Sequence, residues 1–211
     1  MKTIDEFVEM LAKETVAEDC ENQYLIQEKK INLRTFLEEM KKNEPKVLLI
    51  GEAPGWKGCA ETGIPFASYH EMNHCTIFPK GEFIISGDRW EKSANYMWSA
   101  FEKEGFMPLL WNAYPFHPFN NKLETNRKPR PEEIESGKKY ITELIKIYNI
   151  KRVFAVGWTA YKLLKNMELS QFIDNKDESY IVHPAARQPK GQKPIKERIV
   201  DKIRLIKNTN F

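Results

Sequence analysis

The chain has 211 residues, 41% hydrophobic and 30% charged, the size of one domain that can bury about 70% of its unfolded surface with no disulfide or metal staple. Its apolar runs, such as Val47-Leu-Leu-Ile50, fall far short of the ~20 residues that cross a bilayer. The acidic, amphipathic opening MKTIDEFVEM does not read as a signal peptide, and Cys20, Cys59 and Cys75 have no paired spacing; membrane, collagen-like, disordered and disulfide-framework classes are therefore excluded, and a reducing, cytoplasmic compartment is expected.

Ile4, Phe7, Val8 and Leu11 recur at helical spacing behind a Thr3/Glu6 capping box. A second helix is predicted over 33–42 and ends at Pro45. Residues 46–51, Lys-Val-Leu-Leu-Ile-Gly, read as a strand buried on both faces. Residues 52–87 read mostly as loop, with a short strand at 83–85. A helix follows over 88–103, with Trp90, Met97, Trp98 and Phe101 available to pack, and then a strand at 109–112. The Pro- and Asn-rich stretch 114–131 is loop. The strongest helix runs over 131–148, with Pro131 near its start and an apolar stripe of Ile134, Ile141, Leu144, Ile145 and Tyr148. Strands at 152–156 and 180–182 and helices at 159–166 and 195–207 complete the chain. Strands alternating with helices imply a parallel sheet covered on both faces. The expected architecture is a single three-layer α/β/α domain over 1–211 with a central four-stranded parallel sheet. Residues 1–40 form a helical extension packed on it.

The charge, net +3, is unevenly spread: residues 1–28 hold eight acids against two bases, and residues 187–207 hold eight bases against two acids. A basic end of this kind follows a polyanion or forms a solvated helix face, and charge alone does not choose.

Parallel sheets bind ligands at the carboxyl ends of their strands, and three such ends carry unusual residues. After the first strand stands Gly51-Glu52-Ala53-Pro54-Gly55, followed by Gly63-Ile64-Pro65-Phe66. Glycines there let backbone N–H groups approach a ligand, Glu52 at a pocket rim can orient or deprotonate water, and Phe66 offers a flat face. A plain Gly/Pro turn with Glu52 solvated and Phe66 in the core fits the same residues. The second is Trp111-Asn112-Ala-Tyr-Pro-Phe-His117-Pro118. The Asn112 amide, both donor and acceptor, matches the edge of a pyrimidine or satisfies the backbone of the loop that follows. His117 is a further pocket group or a loop histidine. The third is Val182-His183-Pro184, with Arg187, Lys190 and Lys193 close behind. A neutral His183 can donate to a developing anion; a structural histidine is the plainer reading.

In combination, GEAPG, GIPF, a strand ending in Asn and a strand-end His-Pro resemble the uracil-DNA glycosylase superfamily, and residues 152–160 are similar to its third strand and following helix. The similarity spans about 46–188. It implies removal of uracil, or a related deaminated base, from DNA by hydrolysis of the N-glycosidic bond. By the same resemblance Glu52 would act with the attacking water and Phe66 would stack on the flipped base. Asn112 would read the base edge and His183 would stabilise the departing anion. Gly51, Ala53 and Gly55 would frame the base, and the loop 184–192 would press into the duplex. Arg187, Lys190 and Lys193 would grip phosphates in a salt-sensitive contact. The chain departs from the pattern at Ala53 and Gly55, where the best-known branch has Asp and Tyr, and at Ala185, where a small hydroxyl is usual. It also lacks the four cysteines of the iron–sulfur branch, so no cluster, metal or other cofactor is expected. DNA is the expected partner, with no membrane contact and a monomeric chain. A catalytically silent DNA- or nucleotide-binding member of the fold is the alternative.

Overall fold

The computed structural model describes residues 2–167 and 179–209. The elements in chain order are α1 (Ile4–Ala12), β1 (Cys20–Glu21), a 3-10 turn (Gln23–Leu25), α2 (Gln27–Lys42), β2 (Val47–Gly51), α3 (Cys59–Thr62), α4 (Tyr69–His74), α5 (Lys92–Glu104), β3 (Leu109–Asn112), β4 (His117–Pro118), α6 (Pro131–Tyr148), β5 (Arg152–Val156), α7 (Trp158–Asn166), β6 (Tyr180–Ile181) and α8 (Ile195–Lys207).

β3, β2, β5 and β6 form one sheet in that order, and every pairing is parallel. Chain direction reverses at β2: β2 to β3 runs one way across the sheet, and β3 to β5 to β6 the other. Right-handed crossovers then place the connecting helices on opposite faces. The carboxyl end of β2 beside β5 is the crevice where such sheets hold ligands. All five residues of β2 are buried, as expected for a strand covered on both sides.

α1 opens with the reciprocal Thr3/Glu6 capping box: Thr3 N donates to Glu6 Oε2 at 2.7 Å and Glu6 N to Thr3 Oγ1 at 3.1 Å. It buries Phe7, whose ring meets Trp111 edge-on at 5.3 Å and Tyr140 at 6.1 Å. The N-terminal helices thus share the main core. α8 packs along α5, where Arg204 Nη2 donates to Glu104 Oε1 at 2.8 Å and Lys207 Nζ to Glu104 O at 2.6 Å. Part of the basic C-terminal charge therefore faces an acidic helix end.

Four sequence expectations are corrected. Residues 83–85 join no sheet. The Asn32 side chain takes the place of a strand partner, accepting from Ile84 N at 2.8 Å and donating to Ile84 O at 2.9 Å. α2 starts six residues earlier than predicted, at Gln27. α5 starts at Lys92 because Glu91 is its N-cap, accepting from Ala94 N at 2.6 Å; Trp90 consequently lies outside the helix, half exposed, instead of packing. A two-residue antiparallel ribbon, β1 with β4, appears where only loop was predicted. Two residues carry no hydrophobic period by which such a ribbon can be seen.

Candidate functional site

At the carboxyl ends of the sheet strands lies a pocket with a volume of about 230 Å³. Gly51, Glu52, Ala53, Pro54 and Gly55 enter it from the loop after β2, Asn112 from the end of β3, His183 and Ala185 from just past β6, and Phe66 from the loop after α3. Side chains from four separate segments thus converge on one cavity.

The backbone that delivers them is tightly fixed. Past the sheet, Ala113 N donates to Gly51 O at 2.8 Å and Tyr114 N to Glu52 O at 3.0 Å, which extends the β2–β3 pairing through the motif. His117 is fully buried and does not line this pocket. Its ring bridges Pro54 O, 2.9 Å from Nδ1, and Leu123 O, 2.8 Å from Nε2. It is therefore a brace for the GEAPG segment. The Thr62 hydroxyl, buried under the next loop, donates to Ala67 O at 3.0 Å and accepts from Ile64 N at 3.0 Å.

Phe66 itself has φ 59°, a left-handed conformation uncommon for a bulky residue, and such outliers gather at ligand sites. Trp98 Nε1 holds it by donating to Phe66 O at 2.9 Å. Gly51 makes room for the arrangement. A Cβ there would lie 2.5 Å from Phe66 Cζ and 2.7 Å from Asn112 Oδ1, so only hydrogen at this strand end lets the ring and the amide sit side by side. At Gly55 a Cβ would meet nothing nearer than Asn126 Nδ2 at 3.9 Å, so that wall of the pocket is open.

Asn112 is 5% exposed, yet its side-chain amide makes no hydrogen bond among the described residues. The amide stands on the pocket wall, where its donor and acceptor are open to the cavity. His183 has a defined tautomer: Ala185 N donates to Nδ1 at 3.1 Å, which leaves Nε2 as the protonated nitrogen of the neutral ring. Gly157, at φ 90°, cradles the ring, and a Cβ there would lie 2.9 Å from His183 Cδ2. Burial lowers the His183 pKa, against the upward pull of the Glu52 and Glu91 carboxylates.

Several lining residues were not foreseen. Glu91 and Ser93, at the start of α5, add a second carboxylate and a hydroxyl. Placing the helix start at 88 hid them, because a cap is visible only when the boundary is right. Asn126 and Arg127 arrive from the long loop before α6. Arg127 is spoken for: its guanidinium bonds Glu133 Oε1 at 2.6 Å and Asp19 Oδ2 at 3.0 Å, with Nη2 3.0 Å from Cys20 Sγ. Cys59 also lines the pocket, but burial pushes its thiol up to about 12, so it is a neutral wall group and not a nucleophile.

Arg187, Lys190 and Lys193 lie outside the cavity, on the exposed loop that follows His183. Lys193 already pairs with Asp201 at 2.5 Å. Gln188 shapes this loop, accepting from Ile195 N at 2.9 Å and donating to Gln192 O at 3.1 Å. No helix among the described residues is long and apolar enough to cross a membrane.

Fold and pocket together define a class: an α/β/α protein with a pocket at the switch point of a parallel sheet and an exposed basic loop beside it. The profile of the uracil DNA glycosylase superfamily matches residues 38–203, and the chain belongs to that superfamily. Its structure is similar to the crystal structure of wild-type Pedobacter heparinus SMUG2, with a TM-score of 0.66 and 16% identity over 98% of both chains. No curated protein matches the sequence.

Proposed function

We propose that the protein hydrolyses the N-glycosidic bond of uracil, or of a related deaminated base, in DNA. The observation that supports it most is the meeting of Glu52, Phe66, Asn112 and His183 in one pocket, with the His183 tautomer set by Ala185 N.

The damaged nucleotide is extruded into the pocket while Arg187 and Lys190 hold flanking phosphates. Phe66 stacks on the base, a contact worth about 1–3 kcal/mol. The Asn112 amide donates to O4 and accepts from N3–H. As the C1′–N1 bond breaks, charge grows on O2, and Nε2–H of neutral His183 donates to it. Glu52 orients the water that attacks C1′, and Glu91 adds negative potential that favours the sugar cation. The open wall at Gly55 leaves room beside C5 of the base.

The test is purified protein against oligonucleotides that each carry one lesion (uracil, hypoxanthine, xanthine or mismatched thymine), scored for abasic sites. Release of at least uracil is expected, and its loss in Asn112→Asp, whose carboxylate places an acceptor against O4. Binding of these oligonucleotides without any abasic site would instead identify a silent member of the fold.

The depressed His183 pKa sets a sign for pH dependence. The unfolded chain takes up a proton near the ordinary imidazole value of 6.5, and the folded chain does not. The ring's contribution to stability is therefore full above about 6.5 and is lost as the pH falls through the lower folded value. Activity follows the same neutral ring. The acid limb of kcat/KM is expected below pH 6.5, and a limb at or above that value would contradict a neutral donor.

A further inference from the structure

Outside the pocket, α4 carries His70 and His74 one turn apart on the same face. Asp88 faces them from the segment that leads into α5. His70 Nδ1 lies 3.1 Å, and His74 Nε2 3.2 Å, from the same Asp88 Oδ1, and the three atoms are all within 4.8 Å of one another. The imidazole centroids are 4.5 Å apart.

The two histidines also line a small cavity of about 80 Å³ with Glu71 and Cys75. Glu71 is 4% exposed, and its Oε1 has no hydrogen-bond partner among the described residues. Burial raises the Glu71 pKa and Ser68 bonds its other oxygen, so Glu71 borders the histidines without joining the ligand set.

We infer that His70, His74 and Asp88 form a binding site for a divalent transition-metal ion of the zinc type. Two imidazole nitrogens and one carboxylate oxygen suit Zn²⁺, Co²⁺ or Ni²⁺ and are a poor set for Mg²⁺ or Ca²⁺, which take oxygen ligands. The spacing fits: ligands at about 2.0–2.1 Å from a tetrahedral zinc lie about 3.3 Å from each other, close to the two N···O distances here. Water completes the fourth position.

The scaffold is already in place. His70 N donates to Arg89 O at 3.1 Å, and Asn73 Nδ2 donates to Gly87 O at 2.7 Å. These bonds hold the 87–89 segment against α4 and aim Asp88 at the histidines. The same segment delivers Glu91 and Ser93 to the main pocket, so a bound ion clamps the strap that carries them.

The test uses the full chain after chelation, titrated with Zn²⁺ by calorimetry and with Co²⁺ by visible absorption. One ion per chain, the intense d–d bands of tetrahedral Co²⁺, and a rise in Tm with Zn²⁺ but not with Mg²⁺ are expected. His74→Ala and Asp88→Asn should each weaken binding at least about tenfold and remove the Tm rise. Both side chains are more than half exposed, and the metal-free Tm of each variant reports that it folds. Absence of binding to the wild type would overturn the assignment. So would binding that survives in the double variant His70→Ala, His74→Ala, since the ion would then sit elsewhere, for example at Asp19, Cys20 and Glu133. No readout depends on glycosylase activity.

Discussion

His183→Ala is expected to slow base release by about 10²–10³-fold, the usual cost of one lost donor to a developing anion, while the Kd for uracil-containing DNA stays near wild type. The reasoning starts from geometry. The ring sits just past β6, held from behind by Gly157 and locked in one tautomer by Ala185 N. In the proposed reaction its Nε2–H meets a base oxygen whose charge is small before bond cleavage and large during it. An interaction that strengthens only in the transition state changes turnover and not affinity. Single-turnover rates with excess protein, set beside equilibrium binding to the same oligonucleotide, separate the two. Equal losses in rate and binding would contradict the assigned role. His183→Gln keeps a side-chain N–H donor, and partial recovery of rate in that variant distinguishes a lost hydrogen bond from a disturbed loop.

What the sequence reveals and what it hides have separate physical origins. β2 and β5 are legible because a strand covered on both faces reads as an unbroken apolar run. α6 is legible because Pro131 at its start and the stripe through Leu144 and Tyr148 agree. The rule that ligands bind at strand carboxyl ends then leads to Glu52, Asn112 and His183 without any knowledge of contacts. Phe66 is harder: its left-handed φ and its position beside Gly51 are set by Trp98 and Thr62, residues that carry no local signal. Glu91 escapes notice because an Asp88 start for the helix looks as good in sequence as the true cap. The Asn32 clasp on Ile84 and the Cys20–Glu133 contact join residues 52 and 113 positions apart, and no periodicity reports a pairing at that range. The basic C-terminal segment shows the opposite error. Its charges are plain in the sequence, but in the fold Arg204 and Lys193 face carboxylates and Lys207 a main-chain carbonyl, so the count of basic residues overstates the charge available to a polyanion.

Gly51→Ala is the second large effect. One added methyl is expected to lower kcat/KM by about 10–100-fold, the equivalent of losing the ~1–3 kcal/mol stack of one base. The carbon cannot be accommodated where it falls, 2.5 Å from Phe66 Cζ and 2.7 Å from Asn112 Oδ1. The Phe66 main chain cannot retreat easily, since its carbonyl is bound by Trp98 and its φ is already left-handed. The ring must therefore turn, or the amide must swing, and either movement spoils the plate or the edge that meets the base. The strand itself tolerates alanine, because Gly51 is not in the left-handed region, so the loss should fall on activity more than on Tm. Gly87→Ala is the control: the residue lies outside the pocket, its Cβ would meet nothing nearer than Tyr69 Cδ2 at 3.7 Å, and near-wild-type kcat/KM is expected. Wild-type activity in Gly51→Ala would mean that Phe66 and Asn112 do not bind the base side by side, and the proposed recognition would fail with it.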